Sequence, residues 1–97
     1  MQIRFVPEAD AELAEARVWY QSQREGLDVA LMLRIDEALD RVIENPSAFP
    51  LVHRQLRRAI VRQFPFAIFY EVNESEIVVL AVFHSRRNPK RITARLR

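Results

Sequence analysis

The sequence contains no cysteine and only one glycine among its 97 residues. The lack of cysteine excludes disulfides and thiolate chemistry. The two histidines, His53 and His84, are separated by thirty residues, which is not the spacing of a zinc site. A single glycine, Gly26, excludes the glycine-rich loops that hold nucleotide phosphates. We therefore expect neither a metal ion nor a cofactor.

Long apolar runs are also missing. No stretch approaches the roughly 18 apolar residues of a membrane span. The first five residues lack the apolar core of a secretory signal. These absences predict a cytoplasmic protein that does not contact membranes. A chain of this length with 49% hydrophobic residues can bury one modest core, so we expect a single domain over residues 1–97.

Charge is distributed unevenly between the two halves of the chain. Residues 1–50 have five arginines against ten Asp and Glu, a net charge of −5, and residues 51–97 have ten Lys and Arg against three Glu, a net charge of +7. Fourteen of the fifteen basic residues are arginine, whose planar guanidinium suits phosphate and carboxylate. The pattern indicates a surface that binds an acidic protein or a nucleic acid, with a solvated coat as the alternative. The candidate binding residues are Arg57, Arg58, Arg62, Arg86 and Arg87.

The acidic half has helical periodicity. A short strand is predicted over 2–6, and Pro7 fixes a backbone angle that suits the start of a helix. Apolar residues at helical spacing predict one helix that ends near Arg24, with Gly26 as its cap, and a second helix that Asn45-Pro46 ends. The two helices should form an antiparallel hairpin. Their apolar stripes consist of Ala9, Leu13, Ala16 and Tyr20 in the first helix and Leu31, Ile35, Leu39 and Val42 in the second.

The basic half has strand periodicity after a predicted loop over 48–55. Strands are expected over 56–62, 66–72 and 77–83, and they should form an antiparallel meander. The predicted fold is therefore α+β, with a short N-terminal strand, a helix hairpin and a three-stranded meander. The hairpin can cover one face of the sheet only, so the other face needs the C-terminal segment, a second copy or a partner. The tail, 91–97, is predicted to be a partial helix or a mobile end.

Several motifs in this order resemble the RelE/ParE family of bacterial toxins, and most closely its ParE-type branch, also called plasmid stabilisation proteins. The resemblance implies the toxin of a type II toxin-antitoxin pair, which a cognate antitoxin holds inactive. It also allows a homodimer or a heterotetramer with the antitoxin. The motifs are Trp19-Tyr20, Asn45-Pro46, Phe49-Pro50, Arg57-Arg58, Phe64-Pro65-Phe66, Ile68-Phe69-Tyr70, and Ala81 to Pro89, which reads AVFHSRRNP.

The two branches of the family imply different activities. A ParE-like toxin inhibits DNA gyrase and performs no bond chemistry, so the five arginines would bind the target. A RelE-like toxin cleaves messenger RNA on the ribosome, where basic groups move protons and stabilise the phosphorane. In that reading the catalytic residues are Arg58, Arg62, His84 and Arg86. RelE-type nucleases commonly have an arginine at the position of Ala67, so its loss weakens the nuclease alternative. A third alternative is a non-toxic module that only binds an antitoxin or regulates expression.

Two further sets of residues are interpreted as packing residues and not as functional ones. His84 follows Val78, Leu80 and Val82 in strand parity, which indicates a structural histidine. The pair Trp19-Tyr20 is expected to pack in the core or on the helix surface and not to stack on bases.

Overall fold

The structure is a computed structural model that describes residues 1–95. Two helices follow a short first strand, four strands come next, and a 3₁₀ helix ends the described chain. The elements in chain order are β1 (Gln2–Phe5), α1 (Pro7–Gln23), α2 (Leu27–Glu44), β2 (Leu51–His53), β3 (Leu56–Ile60), β4 (Phe66–Val72), β5 (Glu76–His84) and the C-terminal 3₁₀ helix (Pro89–Arg95).

The helix hairpin forms where the sequence predicts it. Pro7 opens α1, and Glu8 and Asp10 in its first turn complement the positive end of the helix dipole. Gly26 joins the helices with a φ of 89°, a left-handed conformation that side chains with a Cβ rarely adopt. It caps the start of α2, whereas Arg24 caps the end of α1, so the prediction that Gly26 caps the first helix was wrong.

The sheet has five strands, in the order β1-β5-β4-β3-β2. The predicted antiparallel meander is present as β3, β4 and β5, but the prediction of only three strands in the sheet is incomplete. At one edge β1 pairs in parallel with β5, and at the other β2 pairs antiparallel with β3. The loop prediction over 48–55 was wrong for 51–53, because three residues are too few to display strand periodicity.

Apolar side chains cover both faces of the sheet. On the helix face, α1 and α2 pack against Ala59, Ile68, Tyr70 and Val79. The opposite face buries Leu56, Ala67, Phe69, Leu80, Ala81 and Phe83 together with Ile92 of the C-terminal 3₁₀ helix. The sequence left three possibilities for what covers this second face. In the structure it is the C-terminal segment. The last two residues of the predicted tail, Leu96 and Arg97, lie outside the described residues.

A β-bulge in β5 changes which side chains face the helices. Phe69 pairs with Ala81 and Tyr70 pairs with Val79, so Leu80 is an extra residue in β5. Leu80 and Ala81 consequently both contribute to the core of the opposite face. Alternation predicted that His84 shares a face with Val78, Leu80 and Val82. Because of the bulge, this was correct for Val82 only: Val82 and His84 lie on the helix face, whereas Val78 and Leu80 lie on the other.

Tyr70 connects the sheet to the loop that follows α2. Its ring is fully buried, and its hydroxyl donates a hydrogen bond to the Pro46 carbonyl at 2.6 Å. Desolvation raises the pKa of Tyr70 above its usual value, and the charge of Arg57 partly opposes this rise. The folded state thus favours the neutral phenol, and the stability that results is present below the unfolded-state pKa of about 10 and is lost as pH rises through the folded-state pKa.

We expect Tyr70→Phe to lower the free energy of unfolding at pH 7 by about 0.5–1.5 kcal/mol, because the half-buried Pro46 carbonyl loses its donor. Urea unfolding measured from pH 7 to about pH 11 should show a shallower loss of stability in the variant than in the wild type. Burial also raises the pKa of Tyr20, but both proteins retain Tyr20, so its contribution cancels in the comparison. Parallel pH curves would contradict this account.

Candidate functional site

An arginine-bearing surface lies on the face of the sheet opposite the helices. Ile60, Ala67 and Phe83 are in register across β3, β4 and β5, and Arg58 is paired with Phe69 on the same face. The Arg87 guanidinium carbon lies 4.8 Å from the centroid of the Phe83 ring. We call the region of Arg58, Ile60 and the exposed turn residues Arg86 and Arg87 the basic face; the side chains of Ala67 and Phe83 beneath it are buried.

The positive charge of the basic face has no acidic partner among residues 1–95. The ion pairs in this part of the chain are Arg4–Glu76, Arg34–Glu37, Arg62–Glu37 and Arg95–Glu12. None of them includes Arg58, Arg86 or Arg87. The Nε of Arg58 is buried and has no hydrogen-bond acceptor among the described residues. Buried donors are normally paired, so the Arg58 Nε is an exception among the described residues.

Arg57 and Arg62 lie apart from this surface. Arg57 is paired with Tyr70, which places it on the helix face, and its Nη1 donates to the carbonyls of Ser47 at 3.0 Å and Phe49 at 2.6 Å. Arg62 points towards α2, with its Nη1 4.0 Å from Oε1 of Glu37. Of the five predicted binding arginines, Arg58 lies on the face opposite the helices and Arg87 packs on Phe83 of that face, whereas Arg86 lies in the exposed turn that follows β5. Their role in binding remains a prediction.

The four residues of the nuclease alternative do not surround one point. His84 lies on the helix face, with its ring centroid 5.9 Å from that of Phe66. Its Nδ1 accepts the backbone N–H of Arg86 at 3.2 Å. Arg58 is on the other face and Arg62 is drawn towards Glu37, so the sheet separates His84 from Arg58. Catalysis of phosphoryl transfer requires such groups around one phosphate.

A second feature was not foreseen from the sequence. β1 pairs with residues 76–79 of β5 only, so the same edge of β5 beyond Val79 has no strand beside it among the described residues. There Oε1 of Glu12 accepts the backbone N–H of Val82 at 3.0 Å. Arg95 donates to the Leu80 carbonyl at 2.6 Å and to both carboxylate oxygens of Glu12, at 3.1 and 2.9 Å. These hydrogen bonds to Glu12 raise the pKa of Arg95, although burial partly opposes the rise. The Glu12–Arg95 pair thus replaces a neighbouring strand.

A groove with a volume of about 480 Å³ runs between α1 and the strand ends on the helix face. Aromatic rings form much of its wall: Trp19 and Tyr20 meet edge to face with centroids 4.9 Å apart, and the Tyr20 and Phe66 centroids are 6.1 Å apart. Tyr20 packs against the core, as predicted, whereas Trp19 is 55% exposed. The groove is lined by Glu12, Glu15, Ala16, Trp19, Tyr20, Pro65, Phe66, Val82, His84 and Arg87.

Neither surface has the ligand set of a metal site. Within residues 1–95, no three His, Asp or Glu side chains converge in a way that could hold an ion. None of the helices in the described chain combines the length and the apolar character that crossing a membrane requires. What these surfaces offer chemically is guanidinium groups on one face and an aromatic, partly acidic groove on the other.

Comparison with known proteins agrees with the resemblance found in the sequence. The family model described as the ParE toxin of the type II toxin-antitoxin system parDE matches residues 3–89. Toxin ParE2 of Mycobacterium tuberculosis, from strains CDC 1551 and H37Rv, is 27% identical over 86 residues, which cover 88% of this chain and 82% of that protein. A solved structure described as the chromosomal ParDE toxin-antitoxin system from P. aeruginosa shares the fold, with a TM-score of 0.74, 19% identity, and coverage of 87% of this chain and 95% of that one. The chain therefore belongs to the ParE toxin family of type II toxin-antitoxin systems.

Proposed function

We propose that this toxin arrests growth by binding DNA gyrase through its basic face, without bond chemistry of its own, and that a cognate antitoxin neutralises it. The observation that carries the proposal is the set of guanidinium groups of the basic face, which have no acidic partners among the described residues of this ParE-family fold. A type II system implies an antitoxin partner. The gyrase target is the part of the proposal that needs a direct test.

The centre of the basic face supports binding over nuclease activity. Ala67 lies between Ile60 and Phe83 in the sheet register, so apolar side chains occupy the place where the nuclease alternative would require a cation. Ile60 is 57% exposed and offers an apolar contact between the charges. An exposed apolar side chain bordered by arginines is typical of a protein-binding surface.

Charge also favours an acidic ligand on this face. Arginine can bind carboxylates or phosphates with two parallel hydrogen bonds, and it remains charged across the physiological pH range. Gyrase bound to cleaved DNA presents phosphates as well as protein surface. An acidic segment of the antitoxin could cover the same arginines, and binding to the folded toxin would stabilise it by mass action.

The experiment compares two assays with the purified toxin. In the first assay, we expect linear DNA, released from trapped complexes of gyrase and cleaved DNA, to increase with toxin concentration. In the second, a reconstituted translation system, we expect translated messages to remain intact. Addition of the purified product of the adjacent antitoxin gene should abolish the trapping. Codon-positioned cuts in messages with unaffected gyrase would favour the RelE-like nuclease instead. Induction without growth arrest would favour the non-toxic module.

A further inference from the structure

The turn that follows β5 carries Arg86 and Arg87, two of the charged residues of the basic face. We propose that His84 is the positioning residue of this turn, and that its neutral imidazole fixes the backbone from which Arg86 contacts gyrase. This inference rests on the proposed function, from which it takes the target. It adds a residue that acts through the turn without touching the target, and it makes the contact depend on pH.

Three consecutive backbone N–H groups of the turn have acceptors. The N–H of Ser85 donates to the Pro65 carbonyl at 2.7 Å, and the N–H of Arg87 donates to the His84 carbonyl at 2.9 Å. The N–H between them, that of Arg86, donates to Nδ1 of His84 at 3.2 Å. The first two acceptors are backbone groups that any side chains would leave in place. The third exists only because the side chain at position 84 can accept a hydrogen bond.

The imidazole is held by the neighbouring strand. His84 is paired with Phe66 across β5 and β4, and the centroids of the two rings are 5.9 Å apart. The histidine is partly buried, so this contact limits the orientations of its ring and keeps Nδ1 beside the N–H of Arg86. A chemical change in the ring therefore acts directly on the turn.

Nδ1 can accept this hydrogen bond only when it carries no proton. A neutral imidazole with its proton on Nε2 meets the requirement, whereas an imidazolium has a proton on both nitrogens, so that two donors would face each other. Histidine side chains change charge between about pH 5 and pH 8. We therefore expect the turn to lose its third hydrogen bond, and the toxin to lose affinity for its target, as the pH falls through this range.

The charged groups that face the imidazole come from α1 and from the turn itself. They are Glu12, Glu15, Arg86 and Arg87. A positive charge on His84 would by itself attract an anionic target, which opposes the effect of the lost hydrogen bond. This charge would lie on the helix face, whereas Arg58 is on the opposite face, and salt screens exposed charges beyond about 8 Å at physiological ionic strength. We therefore expect the hydrogen bond to decide the direction.

Two substitutions separate positioning from packing. His84→Asn keeps an acceptor, because its Oδ1 is as many bonds from the backbone as Nδ1, but it removes the ring from Phe66. His84→Phe keeps a ring and removes the acceptor. We expect His84→Asn to trap gyrase as the wild type does, and His84→Phe to need about 2- to 10-fold more toxin for half-maximal trapping, as the loss of one hydrogen bond predicts. If His84 only packs, the order of the two variants is reversed, which would contradict the inference.

The pH profile gives a second measurement. We expect trapping by the wild type, divided by trapping by His84→Asn at the same pH, to fall between about pH 8 and pH 6. The ratio removes the pH dependence of gyrase and that of His53, the other histidine, which both toxins retain. His53→Asn is the matched control, because it makes the same change in β2 and should keep the profile of the wild type.

Three further results would overturn the inference. The first is equal trapping by the wild type and a folded His84→Phe variant. The second is a proton on Nδ1 of His84 at about pH 8 in the nitrogen NMR spectrum of the wild-type toxin, a measurement that needs no variant. Both results leave the gyrase target intact. The third is no trapping by the wild type, which would overturn the proposed target as well. Thermal unfolding checks the fold of each variant, and His84→Leu replaces His84→Phe if the latter unfolds.

Discussion

Growth arrest should disappear when Arg58 and Arg86 are both changed to glutamate. Each reversal removes a guanidinium from the basic face and adds a repulsive charge against an acidic or phosphate-bearing target. If each position contributes about 2 kcal/mol, as a strong interface residue does, the double variant should lose about 1000-fold in affinity. Plating efficiency after induction measures the effect in cells, and the gyrase trapping assay measures it in vitro.

The control for this result is the double variant Arg17→Glu and Arg24→Glu. These arginines are exposed on and just after α1, outside the basic face, and the change in net charge is the same. We expect it to retain full toxicity. Because the Nε of Arg58 is buried, thermal unfolding must show that the Arg58 variant is folded. Undiminished arrest in a folded Arg58/Arg86 variant would contradict the assignment of this face to the target.

The largest effect on stability is expected from Leu31→Ala in α2. Leu31 is 1% exposed and belongs to the core between the helices and the sheet. Its truncation removes apolar contacts and leaves a cavity, which should lower the free energy of unfolding by about 2–5 kcal/mol. A domain of this size has little stability to spare, so the variant should be largely unfolded at 37 °C or need the antitoxin to fold.

Leu33→Ala is the matched comparison, because it makes the same chemical change two residues further along the same helix. Leu33 is 64% exposed, and we expect its replacement to change stability by no more than about 0.5 kcal/mol. A comparison of the two variants by urea unfolding isolates the effect of burial on stability, because the change in helix propensity from Leu to Ala is the same at both positions. Equal losses would mean that Leu33 is covered by a partner or that α2 is displaced.

The helix hairpin could be predicted because its signals are local. Apolar spacing, Pro7, Gly26 and Asn45-Pro46 all act within a few residues, and the structure confirms both helices. The three strands of the meander were predictable for the same reason. The pairing of β1 with β5 was not, because periodicity carries no information about which distant strand becomes the neighbour.

The candidate surfaces were predictable only in part. The basic half of the chain indicated arginines in β3 and after β5, and alternation separated Arg58 from Arg57, as the structure confirms, but it did not show which of the two faces the helices cover. The groove depends on the bulge at Leu80, which turns Val82 and His84 towards α1. Alternation counted without the bulge assigns His84 to the wrong face, and the contact between Glu12 and Arg95 joins residues far apart in the chain.

The free edge of β5 has a consequence for self-association. Unpaired strand edges can form backbone hydrogen bonds with strands of other molecules and so build extended sheets. This edge belongs to a long, apolar strand. A carboxylate from the first helix and a guanidinium from the last described residue occupy its hydrogen-bonding groups. We therefore expect this half-buried ion pair to disfavour polymerisation of neighbouring molecules through their sheets, even at high protein concentration.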